Sequence, residues 1–112
     1  MKDYSKMSDF DICGYVSMHE HGFSWIEFDD EMSSHVKCGN EGSPGFAIVE
    51  VKDYCNNPSD AMPIMIENRI SLTWVNGECR ASSVKAGYHE FSCGNALRAA
   101  MIVYLMMKDV EK

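Results

Sequence analysis

At 112 residues, with 46% apolar side chains and a net charge of −7, the chain is too short for two full domains and too apolar to stay disordered. The acidic balance repels a phosphate backbone, which argues against broad nucleic-acid binding. That charge is uneven: residues 1–57 carry four Lys against eleven acidic groups, whereas residues 58–112 carry six basic and six acidic groups, so a local spot for one anion stays open there.

The first residues, MKDYSKMSDFDIC, hold charges throughout and no apolar run, so no signal peptide is expected. Ser8 followed by Asp11 three residues later predicts a capped helix start, in the Asp form of the capping box. Met7 and Ile12 stand where a hydrophobic staple would close the first turn. The helix is expected to run to about residue 18 with Phe10, Ile12, Cys13 and Val16 inward, weakened by Gly14 by up to ~1 kcal/mol. Residues 23–28, FSWIEF, alternate as a strand. A polar, glycine-rich loop follows, with a short strand expected at residues 35–38. The run FAIVEV, residues 46–51, is nearly continuous in its apolar character and predicts a buried central strand.

Two helix starts compete in CNNPSDAMPIMIENRISL, residues 55–72. Asn57 as cap would set Pro58 at the first helical position and Pro63 at the sixth, at the cost of one backbone hydrogen bond. Asp60 as cap would set Pro63 third, where its missing N–H has no intrahelical partner to lose. The second start is preferred, giving a helix from Ala61 to about Asn68 with Ile64, Met65 and Ile66 largely buried. Beyond it, SLTWV and ECRASS flank Asn76-Gly77, a strong hairpin signal. Asn95 then caps a last helix, from Ala96 to about Lys108. That helix is apolar on most faces and so central to the core, with Ala99, Met101, Ile102, Leu105 and Met106 the expected buried residues. Its apolar run is far shorter than the roughly 20 residues needed to span a bilayer. Cys13, Cys38, Cys55, Cys79 and Cys93 form no CxxC pair, and their odd number argues for a reducing compartment.

The blocks DYSKMSDFDI, CNNPSDAMPIMIENRISL and NALRAAMIVYLMM resemble the NinX-like family of small lambdoid phage and prophage proteins. They cover about 40 residues in the family's order, and the middle block is the specific one. Met62 stands where the family usually has an aromatic, and Ala96 where it usually has a proline. No family pattern matches residues 19–50. The family carries no assigned activity, so the resemblance implies a phage setting, beside accessory genes for recombination and host takeover, and not a chemistry.

Four constellations bear on chemistry. Asp29 or Asp30, then Glu50 and Lys52 at a strand end, form the carboxylate and acid-x-Lys pattern of Mg²⁺-dependent PD-(D/E)xK nucleases. The plainer reading is a strand leaving the core with Glu50 and Lys52 in solvent, since such short patterns recur by chance. His35, Cys38, His89 and Cys93 are zinc-type ligands, but their spacing is that of no known finger or ribbon. Cys55, beside a helix start, is the one cysteine with a sequence reason for a lowered pKa.

The fourth constellation is a polar cluster of Asn56, Asn57, Asp60, Glu67, Asn68, Arg69, Asn95 and Arg98. As structure, it reads as caps and ion pairs, with Arg69–Glu67 or Arg98–Asp60 joining helices. As a site, it would hold an anion on Arg98 or Arg69 beside free helix N–H groups, with Trp74 as a stacking wall.

The sequence therefore predicts one α+β domain over residues 1–112, with two or three main helices on a small, mainly antiparallel sheet. Its expected role is that of an accessory protein in the host cytoplasm that acts by binding, with no cofactor and no metal. The expected partner is a host protein or a small anionic, nucleotide-type ligand held by Asn57, Asp60, Arg69, Trp74, Asn95 and Arg98, and self-association is left open. The alternatives are a nuclease or recombination accessory using Asp30, Glu50 and Lys52, and an acidic protein that mimics DNA charge.

Overall fold

The Ser8 hydroxyl accepts from the Asp11 backbone N–H at 3.0 Å, so the capping box opens α1 (Asp9–Glu20). The computed structural model describes residues 3–29, 31 and 33–110. Helix α1 outruns its expected end by two residues and is buried on two sides. Ile12, Cys13 and Val16 enter one core, while Phe10, Tyr15 and Met18 meet a second. The single inward set expected for this helix therefore splits: Ile12, Cys13 and Val16 face one core, and Phe10 faces the other, because the first sheet packs on the opposite side of α1. Gly14 has a packing reason: a Cβ there would lie 2.7 Å from the Phe28 ring, so the missing side chain is what lets that ring approach the helix.

Three short strands form the first antiparallel sheet: β1 (Trp25–Glu27), β2 (His35–Gly39) and β3 (Ala47–Glu50), in that spatial order. The expectation of a buried central strand at residues 46–51 fails. The centre is β2, whose Val36 and Cys38 are fully buried, and β3 is an edge. Only one face of this sheet meets α1, so Val49 points inward while Phe46 and Ile48 stay exposed. The Lys37 ammonium lies 5.2 Å from the Phe46 ring centroid and covers part of that surface.

Helix α2 (Pro58–Glu67) takes the start that the sequence reading set aside. Asn57 is its cap, accepting from the Ser59 N–H at 3.1 Å, and Pro58 is its first residue. Pro63 therefore falls inside the helix. It is tolerated because Ser59, whose carbonyl loses its partner, is exposed and can turn that oxygen to water. The register also corrects the burial pattern: Ile64 and Met65 are buried, but Ile66 is 70% exposed. At the other end the Asn68 side chain donates back to the Ile64 carbonyl at 2.8 Å, and Arg69 takes a left-handed conformation (φ 54°) that turns the chain into the next strand.

The hairpin forms as expected. Strands β4 (Ser71–Val75) and β5 (Glu78–Ser83) are joined by Asn76 (φ 52°) and Gly77 (φ 83°), the two positive dihedrals of a type I′ turn. A third strand, β6 (His89–Cys93), pairs with β5 and had no expectation attached. Helix α3 (Ala96–Val110) crosses this second sheet. Ala99 through Leu105 and Met107 are buried, whereas Met106 is only half-buried. The result is α+β: three helices and two three-stranded antiparallel sheets among the described residues.

Candidate functional site

The N-terminal ends of all three helices meet around one short segment, residues 51–57. Leaving β3, the chain makes a tight turn in which the Asn56 and Asn57 N–H groups both donate to the Asp53 carbonyl, at 3.2 and 2.9 Å. The turn aims the Asn56 side chain between two carboxylates. Its amide donates to Asp53 at 3.1 Å and to Asp9, the first residue of α1, at 3.4 Å. Its oxygen accepts from Asn95 at 3.3 Å. Asn95 in turn caps α3, accepting from the Leu97 and Arg98 N–H groups at 3.0 and 3.1 Å.

Arg98 holds the other side of Asp9. One guanidinium nitrogen is 2.8 Å from the Asp9 carboxylate, and another donates to the Met7 carbonyl at 2.6 Å and the Tyr4 carbonyl at 3.3 Å. The expected partner of Arg98 in its structural role was Asp60. The actual partner is Asp9, because the residues before α1 lie across the start of α3. Asp60 instead accepts from the Asn57 side chain at 3.0 Å.

A cavity of about 230 Å³ opens between α1 and residues 51–56. Its apolar wall is Phe10 and Val51, its polar wall is Asp9, Asp53 and Asn56, and Lys52 and Cys13 complete it. The Lys52 side chain is exposed and its ammonium has no partner among the described residues. Behind the wall the Cys13 and Cys55 sulfurs are 3.6 Å apart and buried. Cys55 was the thiol expected to be acidic. The hydrogen bond with Cys13 and burial instead push Cys55 up, while the same bond lowers Cys13, because Cys55 stabilises a Cys13 thiolate by donating to it.

The six residues expected to bind a ligand fall into two groups. Asn57, Asp60, Asn95 and Arg98 gather at the helix N-termini, one layer behind or beside this cavity. Arg69 and Trp74 stand beyond the far end of α2, a ten-residue helix that is about 15 Å long. What the sequence did not single out is the cavity wall of Asp9, Phe10, Cys13, Val51 and Asp53. The one usable signal was Asp53 between an apolar strand and CNNP, which is turn chemistry. Nothing in the spacing joins Asp9 to a group 44 positions later.

Of the nuclease set, Asp30 lies outside the described residues. Glu50 and Lys52 are both exposed, at and beyond the end of edge strand β3. Among the described residues no three His, Cys, Asp or Glu side chains gather so as to hold a metal ion. His35 and Cys38 belong to one sheet, His89 and Cys93 to the other. No described helix is long and apolar enough to cross a membrane.

No curated protein and no solved structure is similar enough to match the chain. The family model described as "Bacteriophage P22, NinX" matches residues 3–108, which takes in the capped start of α1, the Asp53–Asn57 turn and the Arg98 clamp, and the chain belongs to that phage protein family.

Proposed function

We propose that this phage accessory protein acts by binding a small nucleotide-type ligand in the cavity between α1 and residues 51–56, in the host cytoplasm, and so withholds that ligand from host defence. The observation that carries the reading is the composition of the cavity wall. Phe10 and Val51 offer a flat apolar face, and Asp9, Asp53 and Asn56 converge as hydrogen-bonding groups whose orientation is fixed by Arg98 and Asn95. Carboxylate and amide groups beside an aromatic face suit the N–H edge of a nucleobase. At about 230 Å³ the cavity is below the usual drug-sized range of roughly 300–1,000 Å³, so it suits a base with its sugar and phosphate outside. The exposed Lys52 ammonium, without a partner among the described residues, lines the cavity and is placed for that phosphate. Asn95 and Arg98 act as positioning residues.

Thermal unfolding in the presence of nucleosides and nucleoside monophosphates tests this. A binding probe at 100 times its Kd raises the unfolding free energy by about 2.7 kcal/mol. Lys52→Ala should weaken a monophosphate about tenfold or more and leave the matching nucleoside unchanged. No stabilisation by any such probe would refute the ligand class. Mg²⁺-dependent cleavage of nucleic acid that Lys52→Ala removes would replace binding with catalysis.

A further inference from the structure

The second sheet ends in a bare edge. Strand β4 pairs with β5 on one side and, among the described residues, with no strand on the other. Edge strands are ordinarily guarded by charge, proline or a bulge. Ser-Leu-Thr-Trp-Val has none of these, and its register with β5 is unbroken from Ser71↔Ser82 to Val75↔Glu78. The two large apolar side chains on the strand are both exposed, Trp74 at 65% and Leu72 at 38%. They share a face, because they pair with Cys79 and Ala81, which are fully buried under α3. The helix covers the middle of the sheet and leaves the same face open at its edge.

The free backbone groups can be assigned. In the two-residue turn Asn76-Gly77, Val75 and Glu78 bond to each other, so the N–H and C=O of Val75 face β5. Alternation then sets those of Thr73 and Ser71 toward β5 as well, and those of Leu72 and Trp74 outward. We infer that β4 pairs antiparallel with β4 of a second copy of this chain, about a twofold axis through Thr73. That register sets Leu72 opposite the other copy's Trp74, and Trp74 opposite its Leu72. Every outward N–H and C=O of these two residues finds a partner, giving four backbone hydrogen bonds. A Trp–Leu pair forms on each side of the axis, on the face that α3 leaves open.

Charge agrees with the same alignment. Arg69, whose side chain has no partner among the described residues, comes level with position 77 of the other copy, next to Glu78 there. The twofold repeats this pairing at the opposite end. The match of residues, hydrogen-bond parity and charge to itself selects a second copy over an unrelated strand, and the interface is isologous.

Sedimentation equilibrium of the full chain over a range of concentrations tests the pairing. The expected mass rises from 12.6 kDa toward twice that value. Thr73→Lys sets two ammonium groups against each other across the axis and should raise the dimer Kd at least about tenfold. Leu72→Pro removes an outward N–H without touching the ladder to β5, and should give a folded monomer by circular dichroism. A wild-type chain that stays at 12.6 kDa up to its solubility limit overturns the inference. So does a dimer that survives both substitutions, since its interface then lies elsewhere.

Discussion

Arg98→Ala removes the group that ties the residues before α1 to the start of α3. The Arg98 side chain is 16% exposed and its Asp9 partner 45% exposed, so the ion pair is partly screened and worth only about 0–1 kcal/mol. The larger contribution is the 2.6 Å bond to the Met7 carbonyl, a hydrogen bond from a charged donor in a part-buried setting, worth about 1.5–3 kcal/mol. The contact with the Tyr4 carbonyl is longer, at 3.3 Å, and adds little. The expected loss is therefore ~2–4 kcal/mol, and a fall in melting temperature on the order of 10 °C for a chain of this size. Urea unfolding reads the first quantity, provided the slope is unchanged. Arg98→Lys should recover less than half of it, because one ammonium cannot hold a carboxylate and a carbonyl in two directions as the guanidinium fork does. A loss below ~0.5 kcal/mol would show that the clamp is incidental and that Asp9 is oriented by other means.

Pro63→Ala should stabilise the protein by about 1–2 kcal/mol: it restores a helical N–H opposite the Ser59 carbonyl, against a smaller gain in unfolded-chain entropy. A loss of stability on urea unfolding would mean that the proline ring packs usefully against its neighbours. A second expectation concerns alkaline pH. Burial, and then the hydrogen bond to Asp109 at 2.5 Å, push Tyr4 well above its ordinary 10.0. Its folded pKa lies above the unfolded one, so the stabilisation is whole below pH 10 and falls as pH rises beyond it, where only the unfolded chain gives up the proton. Tyr4→Phe should flatten that alkaline decline in stability measured against pH, and an unchanged slope would refute the assignment.

The elements that local chemistry dictates could be read in advance: the Ser8 cap, the Asn76-Gly77 turn, the Asn95 cap and the apolar last helix. The misreadings share a cause. Whether β3 is central, and whether Ile66 is buried, depend on what packs against them, and that depends on contacts between distant segments. The start of α2 turned on the cost of Pro63, which is small because Ser59 faces water, a fact of tertiary placement. The polar cluster was legible as a set of caps near helix starts. That the starts of three helices converge, with Asp9 between Asn56 and Arg98, was not, because those partners are 47 and 89 positions away.

Helix α3 also bears on how the protein is made. It follows every other described element in chain order, and it supplies Ala99 through Leu105 and Met107 to the main core. The contacts that lock the residues at and before the start of α1, Tyr4 to Asp109 and Asp9 to Arg98, span 105 and 89 positions. A nascent chain that has not yet released α3 from the ribosome lacks both the core and these ties. The α1–first-sheet cluster of Met18, Val36, Cys38 and Val49 is too small to stand alone. Folding then waits for α3 and is all-or-none, slowed by closing a loop of 105 positions, and a stop before residue 96 leaves a product for proteases rather than a partial protein.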